Sequence, residues 1–148
     1  LIINDRIDIA MAAGVAGVHI GQQDIPADIA RKLIGKDMLL GVSVSSAAEA
    51  IDAVKAGADY LGVGAMFPTG TKPDAGFVSM EELGRIRKAV DIPIVLIGCI
   101  SRENAMLFRP MGVDGLAVVS AVIAQPDIKK SAADLKSLFL GKEVMNEH

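Results

Sequence analysis

Asp5 and Asp24 follow two neighbouring apolar runs, Leu1-Ile2-Ile3-Asn4 and Gly17-Val18-His19-Ile20, at matching positions. Two carboxylates at one rim suit a hard cation such as Mg²⁺, which takes oxygen ligands and keeps waters for a phosphate substrate. Asp is also a favoured helix N-cap, so capping is the competing reading for both. A second group lies in the longest loop, Pro68-Thr69-Gly70-Thr71-Lys72. Its two hydroxyls, flexible glycine and cation fit phosphate binding, and they also fit a solvated loop. Ser43, Gly98-Cys99 and Ser120-Ala121 close three further apolar runs. Small residues at such points let backbone N–H groups reach an anion, or let strand and helix pack closely.

Other reactive side chains read as structural. His19 lies between Val18 and Ile20 and is expected to be a packed, barrel-interior residue. Cys99 has no Asp/His pair placed to activate it and reads as an inert thiol. The seven methionines are scattered like core filler, and Lys129 and Lys130 read as a solvated face.

The elements that position these residues follow a repeated phrase. Gly14-Val15-Ala16-Gly17-Val18-His19-Ile20-Gly21 recurs as Gly57-Ala58-Asp59-Tyr60-Leu61-Gly62-Val63-Gly64, and again as Gly112-Val113-Asp114-Gly115-Leu116-Ala117-Val118-Val119-Ser120. The first Gly can end a helix in the left-handed conformation. The apolar run after it fits a strand buried on both faces of a parallel sheet. Six strands are predicted: Leu1–Asn4, Gly17–Ile20, Met38–Ser43, Tyr60–Gly64, Pro93–Ile97 and Gly115–Val119. Helices lie between them. One over 5–13 carries Ile7, Ala10 and Met11 on one face, Pro26 opens the next, and Ser46/Glu49 and Ser79/Glu82 match the S-x-x-E capping box. Ser101 is expected to cap the helix that follows it. A last helix covers 131–139, and 141–148 reads as a flexible tail.

Strict strand–helix alternation means a parallel α/β protein. At about 25 residues per unit, eight units take about 200 residues, the low end for a closed (β/α)₈ barrel of TIM type. The 148 residues hold six units in what reads as one incomplete domain over 1–148. The edge strands Leu1–Asn4 and Gly115–Val119 then need covering, by a preceding segment or by a partner in an oligomer. No G-x-G-x-x-G or G-x-x-x-x-G-K-[ST] motif supports a doubly wound alternative.

Composition narrows the partners. A hydrophobic fraction of 51% with 22% charged residues is that of a folded globular chain. A net charge of -3 and 3% aromatics argue against nucleic acid. No apolar run reaches the roughly 18 residues of a membrane span. A single cysteine excludes an intrachain disulfide framework and makes a reducing, cytoplasmic setting the default.

Leu1-Ile2-Ile3-Asn4-Asp5, Gly17-Val18-His19-Ile20-Gly21-Gln22-Gln23-Asp24, Gly41-Val42-Ser43, Phe67-Pro68-Thr69-Gly70-Thr71-Lys72 and the glycine phrases, in this order, resemble the thiamine phosphate synthase family over nearly the whole chain. The Phe-Pro-Thr-x-Thr-Lys loop and the Gln-x-Asp are the specific parts. The resemblance implies a (β/α)₈ enzyme that joins hydroxymethylpyrimidine diphosphate to thiazole phosphate, giving thiamine phosphate and pyrophosphate. It implies that Asp5 and Asp24 hold Mg²⁺ and that Asn4 contacts the diphosphate. Ser43 would lie by the leaving group or the pyrimidine. Thr69, Thr71 and Lys72 would cover the phosphates, with Lys72 steadying the departing pyrophosphate. Val119 and Ser120, with the loop at Gly98 and Cys99, would offer N–H groups to the thiazole phosphate.

The chain departs from the family pattern in three places. It begins at what corresponds to the third strand. Gly98-Cys99 stands where the family has two glycines, and a Cβ there is expected to crowd the anion or exclude a positive φ. Pro110 is expected to end its helix early. A thiazole tautomerase of the same fold is the first alternative, but Ser45 rather than a histidine follows Ser43-Val44. A catalytically degenerate paralogue that binds a phosphorylated ligand is the second.

Overall fold

The computed structural model describes residues 1–67 and 77–141. Six strands run in order: β1 (Ile2–Asn4), β2 (Gly17–Ile20), β3 (Leu39–Val44), β4 (Tyr60–Val63), β5 (Ile94–Ile97) and β6 (Gly115–Ala117). The helices between and after them are α1 (Ile7–Ala13), α2 (Ala27–Ile34), α3 (Ala47–Lys55), α4 (Met80–Ala89), a 3₁₀ helix (Ala105–Met111), α5 (Ser120–Ile123) and α6 (Ile128–Leu140). The sheet order is β1-β2-β3-β4-β5-β6 and every pair is parallel. Right-handed crossovers that always step in one direction put every helix on the same side of the sheet. That is barrel winding, and a doubly wound sheet would reverse its strand order. Among the described residues β1 pairs only with β2 and β6 only with β5, so both edges stand open as expected. No described helix is long and apolar enough to cross a membrane.

Burial alternates along the strands. Val18, Leu40, Leu61, Ile94 and Leu96 are fully buried against the helix layer, where Ala10, Ala30, Ala50, Leu83, Ile86 and Phe108 meet them. The other face is only partly covered: Leu39 and Ile97 are nearly half exposed. The expectation of strands buried on both faces is therefore corrected, since only the helix-facing side is sealed. The inner face carries Asn4, His19, Gly41 and Tyr60 in register, with Ser43 opposite Gly62 one step further along.

The repeated phrase behaves as its residues require. Gly14, Gly57 and Gly112 all have positive φ and end the preceding helical segment. In the second and third copies the aspartate turns back to the neighbouring strand. Asp59 Oδ2 accepts from Leu40 N at 2.7 Å, and Asp114 Oδ2 accepts from Ile94 N at 2.9 Å. Each also meets a guanidinium, Arg31 on α2 for Asp59 and Arg87 on α4 for Asp114. The serines of both capping boxes accept from the N–H three residues on. Their glutamates reach elsewhere: Glu49 to Ser45, and Glu82 to Ala47 N, which fastens the start of α3 to α4.

Several local expectations are corrected. Met11 is exposed rather than packed with Ile7 and Ala10, and Met80 and Met106 are exposed too, whereas Met66 is buried. Ser101 caps no helix; its hydroxyl pairs with Glu103 and the segment becomes the 3₁₀ helix after Asn104. Pro110 does not shorten that segment but lies inside it, and an α-helical ladder is absent along its whole length. The last helix starts earlier than 131 because Asp127 caps it through Lys130 N, and α5 was not foreseen. Asp134 of that helix is buried and meets Arg102 at 2.5 Å, tying the loop after β5 to α6. Of the tail, only Gly141 falls within the described residues.

Candidate functional site

The C-terminal ends of parallel strands gather the polar loops at one rim. Asp5 follows β1 with φ of 63, a left-handed conformation that Asp tolerates better than most side chains. Its N–H donates to the His19 carbonyl at 2.8 Å, and Asn4 Nδ2 donates to its Oδ1 at 2.6 Å. Asp24 follows β2, and its Oδ2 accepts from Gly21 N at 2.6 Å. Gln22, from the same loop, donates to the Ser43 carbonyl at 2.7 Å and so ties the end of β2 to the end of β3.

Neither aspartate caps a helix. The N-caps of α1 and α2 are Arg6 and Pro26, without side-chain capping bonds. The competing reading from sequence is thereby removed. Asp5 and Asp24 border one open depression of about 440 Å³ between α1 and α2, together with the Arg6-paired Asp8 and an apolar wall of Ile7, Met11, Ile25 and Leu33. Among the described residues neither forms an ion pair. Their charge is nonetheless felt next door. Burial pushes the His19 imidazole below its ordinary value, and Asp5 and then Asp24 pull it partly back. No described cluster of three or more His, Cys, Asp or Glu side chains gathers as a closed metal cage. Two unpaired carboxylates on adjacent loops fit a Mg²⁺ that keeps most of its ligands as water or phosphate, rather than a fully protein-bound ion.

Inside the rim, His19 Nε2 lies 2.9 Å from Ser43 Oγ and its Nδ1 lies 2.9 Å from the Tyr60 hydroxyl. Burial raises the Tyr60 pKa, so the phenol keeps its proton. The sequence places His19 inside the barrel but gives it no link to Ser43, assigns Tyr60 no role, and marks Gln22 only as part of the Gln-x-Asp motif. The signal was period-two alternation. His19 sits out of phase with the buried Val18 and Ile20 and in phase with the other polar strand residues.

On the far side of the rim, Gly98 and Cys99 take φ of 109 and 48 in succession. The expectation that a Cβ excludes positive φ at 99 is corrected: the cysteine is accommodated, exposed, with its carbonyl accepting from Asn104 Nδ2 at 3.0 Å. Gly98 presses on the next loop, where an added Cβ would come within 2.8 Å of Ala65 Cα. Val119 precedes α5 and Ser120 opens it, both exposed, beside the Gly98 loop through the β5–β6 pairing. First-turn N–H groups of a helix have no intrahelical partner. Asn4, Asp5, Asp24 and Ser43 are thus brought together around His19, and Gly98, Cys99, Val119 and Ser120 form a second group. Thr69, Thr71 and Lys72 lie outside the described residues.

Comparison with known proteins gives a consistent result. The family model described as thiamine monophosphate synthase matches residues 1–122. A thiamine-phosphate synthase of Clostridium beijerinckii is 59% identical over 95% of this chain and 67% of its own length. One from Methanobrevibacter smithii is 51% identical over 96% of this chain and 68% of its own. The solved thiamine phosphate pyrophosphorylase from Pyrococcus furiosus superposes with a TM-score of 0.86 at 39% identity, covering 98% of this chain and 68% of that one. The chain spans about two thirds of the length of these relatives.

Proposed function

The chain belongs to the thiamine monophosphate synthase family, a family of transferases with a TIM-barrel-type fold, and from that premise we propose how its residues serve the joining of hydroxymethylpyrimidine diphosphate to thiazole phosphate. Asp5 and Asp24 hold Mg²⁺ at the rim. When bound, the ion supplies positive charge to the diphosphate oxygens. Asn4, beside Asp5, donates to the same group. By the family resemblance, Lys72, Thr69 and Thr71 are assigned to the leaving pyrophosphate, where negative charge grows as the bond breaks. Ser43 lies by the leaving group or the pyrimidine. The backbone N–H groups at Ser120 and in the Gly98-Cys99 turn receive the thiazole phosphate.

The carbon–oxygen bond to diphosphate breaks and the thiazole nitrogen forms a bond to the same methylene carbon. Pyrophosphate carries away the electron pair of the broken bond. The electron-rich pyrimidine spreads the positive charge left on the methylene. No protein nucleophile is required.

One observation supports this reading most: Asp5 and Asp24 directly follow neighbouring strands, border one depression, cap nothing and pair with no described cation. The test is thiamine phosphate formation by the intact gene product from both substrates, with and without Mg²⁺. Magnesium-dependent product is expected. Tight binding of thiazole phosphate or thiamine phosphate without turnover would favour the binding paralogue, to which Cys99 in the glycine position lends its weight.

A further inference from the structure

Three side chains on adjacent strands form one hydrogen-bonded line across the inner face: Tyr60 on β4, His19 on β2 and Ser43 on β3. The line exists because two positions between them have no side chain. A Cβ on Gly41 would overlap both the Tyr60 ring and His19 Nδ1, and one on Gly62 would come within 2.8 Å of His19 Cε1. The imidazole and phenol rings lie with centroids 5.5 Å apart.

The direction of the line follows from counting protons. Among the described residues the Tyr60 hydroxyl has one hydrogen-bond partner, His19 Nδ1. A neutral imidazole has one N–H and one bare nitrogen. If Nδ1 carried the proton, the half-buried phenol would have no acceptor for its own hydrogen, an unfavourable arrangement. The arrangement that gives the phenol hydrogen a protein acceptor has Tyr60 donating to Nδ1, the ring proton on Nε2, and Nε2–H donating to Ser43 Oγ. Ser43 is left with its own hydrogen to give, in a rotamer fixed from behind, while Gln22 holds its carbonyl.

We propose that Tyr60 and His19 are positioning residues that orient Ser43 as a hydrogen-bond donor toward the bound substrate. This rests on the reading above that places Ser43 at the substrate. The test is a double-mutant cycle on the intact gene product, joining Tyr60→Phe with Ser43→Ala, with ¹⁵N-histidine NMR as an independent readout. Tyr60→Phe is expected to lower kcat/KM about tenfold when Ser43 is present and hardly at all in the Ser43→Ala background. The native spectrum is expected to show His19 protonated at Nε2, and Tyr60→Phe to bring in the Nδ1-protonated form. An equal loss in both backgrounds would mean that Tyr60 merely supports the fold and would overturn the proposal. So would no loss in either, or a native Nδ1-protonated ring. Full activity in Ser43→Ala alone would instead refute the placement of Ser43, and the NMR tautomer would still decide the hydrogen-bonded line.

Discussion

The two ends of the strands treat aspartate in opposite ways. At the N-terminal end, Arg31 donates to the carbonyls of Gly35, Met38 and Gly57 and to Asp59, and its side chain is only 19% exposed. Arg87 repeats the arrangement on Val90, Ile92, Gly112 and Asp114. Both of these arginines and both of these aspartates have protein partners. At the C-terminal end, Asp5 and Asp24 have hydrogen bonds from Asn4 and Gly21 but, among the described residues, no cation. The first phrase of the repeat completes the contrast, because Ala16 stands where Asp59 and Asp114 stand. Charges satisfied within the chain serve the fold, and charges left for a ligand serve chemistry.

The comparison breaks if substitutions at one end behave like those at the other. The largest effect is expected for Asp24→Asn, which should lower kcat/KM by about 10²- to 10³-fold while the urea midpoint stays the same or rises, since no internal ion pair is lost. A matching loss of stability would place Asp24 with the structural carboxylates. Lys72→Ala should come next, at about 10²-fold, with kcat falling far more than KM rises because the charge it meets grows in the transition state. An unchanged kcat with a raised KM would remove it from the chemical step.

At the other end the sign of the argument reverses. Arg31→Met should cost about 2–3 kcal/mol in denaturant unfolding, leaving kcat per folded molecule intact. Arg87→Met should cost less, about 1–2 kcal/mol, because its contacts with Gly112 and Asp114 stretch to 3.4 and 3.5 Å. Equal losses would mean that the distances do not govern the two clamps. The smallest effect is expected at the second anion group. Cys99→Gly should relieve a left-handed side chain and tighten thiazole phosphate binding by a few-fold, measured by calorimetry. Unchanged affinity would show that the thiol is already tolerated.

Strand and helix order was readable in the sequence because the apolar runs are short and continuous, and three of them are introduced by a glycine that needs positive φ. The strand limits differ from expectation by no more than two residues. What escaped was governed by contacts between segments. Nothing local marks Met11 as exposed, because its helix face is sealed only where another element packs on it. Nor does the sequence tell that Arg102 and Asp134 hold the loop after β5 to α6. At the site, Asp5, Asp24 and Ser43 stood out by type and position. His19 was misjudged in importance because an imidazole flanked by valine and isoleucine looks like packing until the register sets it beside Ser43 and Tyr60.

The arginine clamps also bear on how the chain acquires its shape. Arg31 and Asp59 are 28 residues apart, and Arg87 and Asp114 are 27. Each clamp therefore closes a segment little longer than one repeating unit, and every strand pairs with its neighbour in sequence. Closure entropy grows only slowly over such lengths, and contacts this local favour rapid folding. The sheet can then grow by accretion, with two of its junctions, β3–β4 and β5–β6, each locked by a guanidinium.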